Sequence, residues 1–167
     1  MNSLIETKTI AYLDIETTGL SPFSSDLTVI GLYIENKNEH KIIQLIENEI
    51  SAEKLLKIIE NVEVIYTYNG EKFDLPFIEE KIKINITNYC NHKDLMYECW
   101  KRNLYGGQKK VEQNLGITRK LLEVDGKVAI DLWNNYKLYN DKKSLITLLE
   151  YNKEDISNLR LIKQALL

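Results

Sequence analysis

The chain has 167 residues, of which 44% are hydrophobic and 28% charged, and its formal net charge is −3. This composition is typical of a folded domain and excludes a disordered chain. No apolar run approaches the ~20 residues that cross a bilayer, so we expect a soluble, cytoplasmic protein without a membrane partner, built as one domain over 1–167.

The first part of the chain predicts three strands, a helix, a strand and a second helix. Apolar runs between short polar turns indicate an antiparallel meander at 9–15, 27–34 and 40–46. Ser51 is a common type of N-cap and begins a helical stripe that continues to residue 60. A fourth strand is predicted at 63–68, and the next helix begins at Phe73 or Asp74 and runs to residue 81.

The second part of the chain is mainly helical. A fifth strand is predicted at 84–89, and helices follow at 94–103, 109–115, 127–139 and 144–167. Gly116 is a natural end for the second of these helices. This order predicts an α/β fold, in which a mixed central sheet with an antiparallel start packs against helices.

The two cysteines, Cys90 and Cys99, form no Cys-x-x-Cys pair. With His92 they make only a loose group, whereas a structural zinc site needs four suitably spaced ligands. We therefore interpret them as ordinary reduced thiols, which is consistent with a cytosolic protein.

Asp14 and Glu16 end the first predicted strand. Because side chains alternate along a strand, both carboxylates point to one face and Ile15 points to the other. Two carboxylates at the end of a buried strand repel each other, and a divalent cation is the simplest partner for them. The alternative is a strand whose acidic end is merely solvated.

Two later segments also place acids in apolar surroundings. Asp74 stands between Phe73 and Leu75, where the alternative role is that of a helix N-cap. Tyr151 and Asp155 are four residues apart and share one helix face, close to its buried side. The alternative for Asp155 is a surface ion pair with a lysine.

Together the three segments supply four carboxylates and no soft ligand: Asp14, Glu16, Asp74 and Asp155. Oxygen ligands of this kind favour Mg²⁺ or Mn²⁺ over zinc. Two such ions ~4 Å apart clamp the attacking and leaving oxygens of a phosphoryl displacement. A phenol with a pKa of about 10 is a poor free base, so Tyr151 is expected to orient the attacking water.

The acidic segments resemble the three exonuclease motifs of the DEDD, or DnaQ-like, superfamily of 3′–5′ exonucleases, which has a ribonuclease H-like fold. The matching stretches are Asp-Ile-Glu-Thr-Thr-Gly-Leu at 14–20, Tyr-Asn-Gly-x-x-Phe-Asp-Leu-Pro-Phe-Ile at 68–78, and Tyr-Asn-x-x-Asp at 151–155. Tyr151, where another branch has histidine, indicates the DEDDy branch, which includes the proofreading domains of family B DNA polymerases. Within that branch the chain most resembles the YprB-type ribonuclease H-like domains, which it also matches around residues 92–95, 111–119 and 133–136.

The resemblance implies a role for each matching residue. The four acids would hold two divalent ions, Mg²⁺ or Mn²⁺, and Tyr151 would position the nucleophilic water. Thr17 and Leu20 would border the 3′-terminal nucleotide, and Asn69 and Phe73 would lie along the entering strand. The implied activity is hydrolysis of single-stranded DNA or RNA from the 3′ end to nucleoside 5′-monophosphates, with any partner that delivers the substrate unspecified.

Two other functions stay open from the sequence. One is a nucleic-acid-binding or partner-docking module with the same fold and little turnover, and the other is a hydrolase specific for short oligonucleotides. Residues 101–120 bear on both, because they contain six cationic residues and one acidic residue. Such a segment can guide a phosphate backbone, although a solvated surface is the alternative.

Overall fold

The structure is a computed structural model, and it describes residues 8–167. In this range the strands are β1 (Ile10–Thr17), β2 (Leu27–Glu35), β3 (His40–Ile46), β4 (Val64–Thr67) and β5 (Asn91–Asp94). The α-helices are α1 (Ala52–Ile59), α2 (Asp74–Ile82), α3 (Leu95–Trp100), α4 (Gln108–Asn114), α5 (Gly126–Tyr139) and α6 (Lys142–Leu166). Two 3₁₀ helices lie at Glu47–Glu49 and Ile86–Asn88.

The strands form one mixed sheet in the order β3-β2-β1-β4-β5. β2 pairs antiparallel with both β1 and β3, whereas β4 runs parallel to β1 and to β5. This arrangement confirms the predicted α/β fold with an antiparallel start. The pairing of β1 with β4 ends at Tyr12 and Tyr66, so the part of β1 that carries Asp14 and Glu16 lies beyond the parallel ladder.

Helices pack on both faces of the sheet, and the side chains of β1 alternate between the two faces. Leu13 and Ile15 enter a core that contains Leu55 of α1 and Phe77 of α2. Tyr12 belongs to a second core on the opposite face, together with several buried residues of α6. Asp14 and Glu16 share the face of Tyr12, and they therefore point toward α6.

The fifth strand is where prediction and structure differ. The predicted strand at 84–89 is wrong: this stretch contains the 3₁₀ helix Ile86–Asn88, and the strand follows at Asn91–Asp94. The Asn85 side chain accepts hydrogen bonds from the Thr87 backbone N–H and hydroxyl, which favours a turn over an extended chain. Ile84 and Ile86 are buried in the core beside α1 and α2, so their apolar character reflects packing rather than strand pairing.

The other elements lie within a few residues of their predicted bounds. Ser51 caps α1 by accepting a hydrogen bond from the Lys54 N–H at 3.2 Å, as predicted. α6 begins two residues earlier than predicted because the Asp141 carboxylate accepts from the backbone N–H groups of Lys143 and Ser144. Among the described residues, no helix combines the length and the apolar character that crossing a bilayer requires.

Candidate active site

Three of the four acids singled out in the sequence meet where β1 passes α6. One carboxylate oxygen from each of Asp14, Glu16 and Asp155 lies within 4.8 Å of the others. Glu16 and Asp155 are buried, and Asp14 is partly buried. Within residues 8–167 this is the only such group of three or more potential ligands, so Cys90, His92 and Cys99 do not form one.

Asp74 approaches the same end of β1 from α2 but lies outside that group of three. It is the first residue of α2, and its Oδ1 accepts a hydrogen bond from the Ile15 backbone N–H at 3.1 Å. The N-cap of α2 is Phe73, so the alternative role of Asp74 as a helix cap is excluded. Burial raises the pKa of Asp74 to about 7, although its bond from Ile15 opposes the shift.

The carboxylates make this end of the sheet strongly negative. Burial, followed by the charge of Asp155 and the other acids, raises the pKa of Asp14 well above its usual range. The pKa of Glu16 is raised in the same direction, again by burial and then by Asp155. The buried Glu16 Oε1 has no hydrogen-bond partner among the described residues. Buried, mutually repelling carboxylates with a free oxygen are a good fit for a hard divalent cation.

A buried arginine pairs with Asp155. Arg119 Nη2 lies 2.5 Å from Asp155 Oδ1 and 2.7 Å from Glu112 Oε1, and Arg119 Nε lies 2.7 Å from Glu112 Oε2. Burial raises the pKa of Asp155 to about 6, and the charge of Arg119 works against this rise. The partner of Asp155 is therefore a buried arginine, not the surface lysine considered from the sequence.

Glu112 was not singled out by its residue type or spacing as part of this site. Its carboxylate also accepts hydrogen bonds from Gln108 Nε2 at 2.9 Å and Asn158 Nδ2 at 3.1 Å. Gln108 Nε2 in addition donates to the Asp155 backbone carbonyl at 2.9 Å. The buried ion pairs thus fasten α4 to the turn of α6 that carries Asp155. No local pattern indicates the pair of Arg119 with Asp155, because the two residues are 36 positions apart in the chain.

The Tyr-Asn-Gly turn before α2 is held by Asp94. Asp94 Oδ1 accepts from the Asn69 N–H at 2.8 Å, and Oδ2 accepts from the Glu71 N–H at 3.2 Å. Asn69 has a φ of 59°, in the left-handed region that asparagine tolerates. A side chain at Gly70 would place its Cβ 2.2 Å from the Thr67 hydroxyl oxygen, so glycine is needed at this close approach.

A cleft of about 730 Å³ opens beside Asp14, Glu16 and Asp155, which together are called the acidic group. Asp14, Tyr151, Asp155, Asn69 and the stretch 106–110 contribute to its walls. Burial, then the charges of the neighbouring acids, raises the pKa of Tyr151, which keeps the phenol protonated. The Lys109 amine lies 4.9 Å from the centre of the Tyr151 ring and donates to the Val124 carbonyl.

The other predicted substrate-binding residues do not line this cleft. Thr17 is partly buried and its hydroxyl donates to the Gly19 carbonyl at 2.7 Å. Leu20 is 87% exposed beyond the end of β1. Phe73 is partly buried and packs against Phe77 with ring centres 5.4 Å apart.

The cationic residues between 101 and 120 do not form one surface. Lys109 and Lys110 line the cleft, whereas Lys101 and Arg102 pair with Glu98. Arg119 is buried with Glu112 and Asp155. That this segment guides a phosphate backbone stays a prediction, and Lys109 and Lys110 are the two of its cations that line the cleft.

Comparison with known proteins identifies the family. Residues 11–167 match the profile of the RNase H superfamily. The chain belongs to the RNase H superfamily. A DNA polymerase of Methanocaldococcus jannaschii is 28% identical to this RNase H-like chain over 118 residues, which are 70% of the chain and 6% of the polymerase.

Solved structures share the fold at low sequence identity. A family B DNA polymerase from Pyrobaculum calidifontis superposes with a TM-score of 0.72 at 15% identity, over 99% of this chain and 25% of the polymerase. A nuclease in its apo form gives a TM-score of 0.62 at 15% identity, over 96% of this chain and 72% of the nuclease. The RNase H-like chain thus corresponds to only a small part of each polymerase.

Proposed function

We propose that this RNase H-like chain is a metal-dependent 3′–5′ exonuclease of the DEDDy branch and of the YprB type. It would hydrolyse single-stranded DNA or RNA from the 3′ end to nucleoside 5′-monophosphates. The observation that carries the proposal is the convergence of Asp14, Glu16 and Asp155 beside a cleft lined by Tyr151. The 28% sequence identity to a DNA polymerase over 118 residues supports a nucleic acid as the substrate.

The acidic group and Asp74 are the residues that we assign to two divalent ions, Mg²⁺ or Mn²⁺. Bound there, two such ions would supply Lewis acidity and positive charge to a displacement at phosphorus. The free oxygen of Glu16 and the shared negative charge of the cluster are the features that support this assignment. Asp74 would bind an ion through Oδ2, since its Oδ1 accepts a hydrogen bond from the Ile15 backbone N–H.

Tyr151 is the residue that we assign to the attacking water. Its raised pKa keeps the hydroxyl protonated, so the phenol orients the water through hydrogen bonding and does not act as a free base. The proton of the water would then pass to one of the neighbouring carboxylates or to solvent. Tyr151 shares the cleft with Asp14 and Asp155, which supports a common site of reaction.

The substrate would enter along the cleft toward the acidic group. Lys109 and Lys110 would contact its phosphates, and Asn69 would border its path. The exposed Leu20 is free to pack on the terminal base, with Thr17 beside it. For Phe73 the role would be indirect. It directly precedes Asp74 as the N-cap of α2, and its ring packs on Phe77 and thereby supports the start of this helix.

Short oligonucleotides are the second candidate substrate. Affinity for a long single strand grows with the number of phosphates that cationic side chains neutralise. Two lysines in the cleft, instead of the six cationic residues expected from the sequence, favour a substrate of few nucleotides. A nucleic-acid-binding module with little turnover is the third candidate, and the free buried oxygen of Glu16 argues against it.

The test uses matched DNA and RNA oligonucleotides labelled at the 5′ end. With Mn²⁺ or Mg²⁺ we expect a ladder of products that shorten from the 3′ end, and no products with Asp14→Ala or after chelation. A block on the 3′ hydroxyl should protect the substrate if digestion begins there. A series of chain lengths separates the first two candidates, and intact substrates with a metal-loaded protein would favour the binding module.

A further inference from the structure

Two side-chain amides connect the edge strand β3 to Asp14. Gln44 Nε2 donates to the Leu149 carbonyl at 2.8 Å and to Asn152 Oδ1 at 2.9 Å. Asn152 Nδ2 donates to the backbone carbonyl of Asp14 and to its Oδ2, both at 3.2 Å. Asn152 is completely buried, so all of its bonds are made inside the protein.

The acceptors at the two ends determine how both amides are oriented. The Leu149 carbonyl accepts only, so Gln44 has to turn its NH₂ group toward α6. That NH₂ group also donates to Asn152, which therefore turns its oxygen to Gln44 and its NH₂ group to Asp14. Reversing either amide would place two acceptors against each other.

The sheet has a gap that accommodates the Asn152 side chain. Asp14, Gly31 and Gln44 are direct neighbours across β1, β2 and β3. A Cβ atom on Gly31 would lie 2.0 Å from Asn152 Oδ1. The glycine of β2 thus provides the space in which the Asn152 amide connects the edge strand β3 to the central strand β1.

We propose that Gln44 and Asn152 are positioning residues that orient the Asp14 carboxylate toward a cation. The inference rests on the proposed function, since it concerns the same acidic group. Asn152 holds Oδ2 with a neutral donor, which leaves the negative charge of Asp14 available. Arg119, in contrast, brings a full positive charge to Asp155. Gln44 acts on Asp14 only through Asn152, from the far side of β2.

The decisive variant is Gln44→Glu, which keeps the shape of the side chain. A carboxylate cannot donate to Leu149 and would attract the NH₂ group of Asn152, so that amide turns its oxygen toward Asp14. We expect Mn²⁺ affinity, measured by calorimetry, to fall roughly 10- to 100-fold. Gln44→Met, which removes the bonds without reversing the amide, should lose less. Gln113→Glu, at an exposed glutamine of α4, is the matched control and should bind Mn²⁺ as the wild type does.

A readout that needs neither metal nor activity is the NMR signal of the Asn152 side-chain NH₂ group. In metal-free protein we expect this signal to be protected from solvent exchange and to shift in Gln44→Glu. An unchanged signal, or equal Mn²⁺ affinity in all variants, would overturn the inference. If Gln44→Glu does not fold, Gln44→Met gives the same comparisons.

These measurements separate the two proposals. Wild-type protein that binds Mn²⁺ but shortens no oligonucleotide would contradict the exonuclease, while the ranking of affinities would still support or overturn the positioning role. If digestion occurs, we expect Gln44→Glu to lower kcat with little change in KM for the oligonucleotide, because Gln44 is outside the cleft.

Discussion

At the scale of single residues, the candidate site carries more negative charge than the protein itself neutralises. Arg119 faces Asp155, and Asn152 supplies a neutral donor to Asp14, but Glu16 Oε1 has no partner among the described residues. Each unpaired buried charge opposes folding. Removing the unpaired charge should therefore stabilise the metal-free protein and lower its activity.

Glu16→Gln should stabilise the metal-free protein and inactivate it. The amide removes a repelling charge and offers an NH₂ group to the neighbouring acids, so we expect the free energy of unfolding in chelator to rise by about 1 kcal/mol. Urea unfolding measures this change, with the exposed Glu53→Gln as the matched control. A clear loss of stability would show that Glu16 already has adequate partners.

Tyr151→Phe should lower kcat by about 100-fold, since the removal of one oriented hydrogen-bonding group from an active site typically costs at least that much. The ring remains to pack beneath Lys109, so the fold and Mn²⁺ affinity should not change. Single-turnover digestion of a labelled oligonucleotide measures the effect. Wild-type rates in the variant would remove Tyr151 from the reaction.

At the scale of elements, a buried polar network joins α4 to α6. Glu112 receives two bonds from Arg119 and further bonds from Gln108 and Asn158. The helix that carries Lys109 and Lys110 is thereby held against the turn that carries Asp155. The position of the cleft lysines thus depends on this network.

Arg119→Met should destabilise the protein by about 3–5 kcal/mol, because Glu112 is left buried and charged without a counter-ion. Adding Glu112→Gln should restore part of that stability, since the amide is neutral and still accepts from Gln108 or Asn158. Urea unfolding of the two single variants and the double variant measures the coupling. Additive losses would contradict a shared network.

At the scale of the whole molecule, the raised pKa values of the site's acids link folding to protons, and the cations that we propose would link folding to metal concentration as well. Burial raises the pKa of Asp74 to about 7 and that of Asp155 to about 6, from 3.8. The folded protein therefore binds more protons than the unfolded chain between these values. The protons bound by Asp74 and Asp155 stabilise the folded protein fully below the unfolded pKa of 3.8. This stabilisation is lost as pH rises through the folded pKa values of about 6 and about 7.

We accordingly expect the metal-free protein to lose stability as pH rises from about 4 to about 7. Mn²⁺ should raise the Tm more at about pH 8 than at about pH 5.5, because protons compete with the cation at the lower pH. At a cation concentration 100 times Kd the stabilisation is about 2.7 kcal/mol. Thermal unfolding with Mn²⁺ or with chelator checks both trends, and a cation effect that does not depend on pH would contradict this linkage.

Local patterns in the sequence predicted the parts that depend on near neighbours. The alternation of β1 placed Asp14 and Glu16 on one face, and Ser51 marked the start of α1. The antiparallel meander followed from three apolar runs with short connections, and the order of the elements led to the fold class. These features rest on strand period, helix capping and turn chemistry, which act over a few residues.

Contacts between distant segments decided the rest. The polar strand β5 is defined by its parallel pairing with β4, whereas the more apolar stretch before it packs in the core. In the sequence Arg119 is one of six cationic residues in a segment interpreted as a surface, yet the fold buries it against Asp155. Gln44 lies 108 residues from Asn152 and meets it only because Gly31 leaves room between the strands. A side chain's charge and shape are local properties, but its burial and its partners depend on which segments the completed sheet brings together.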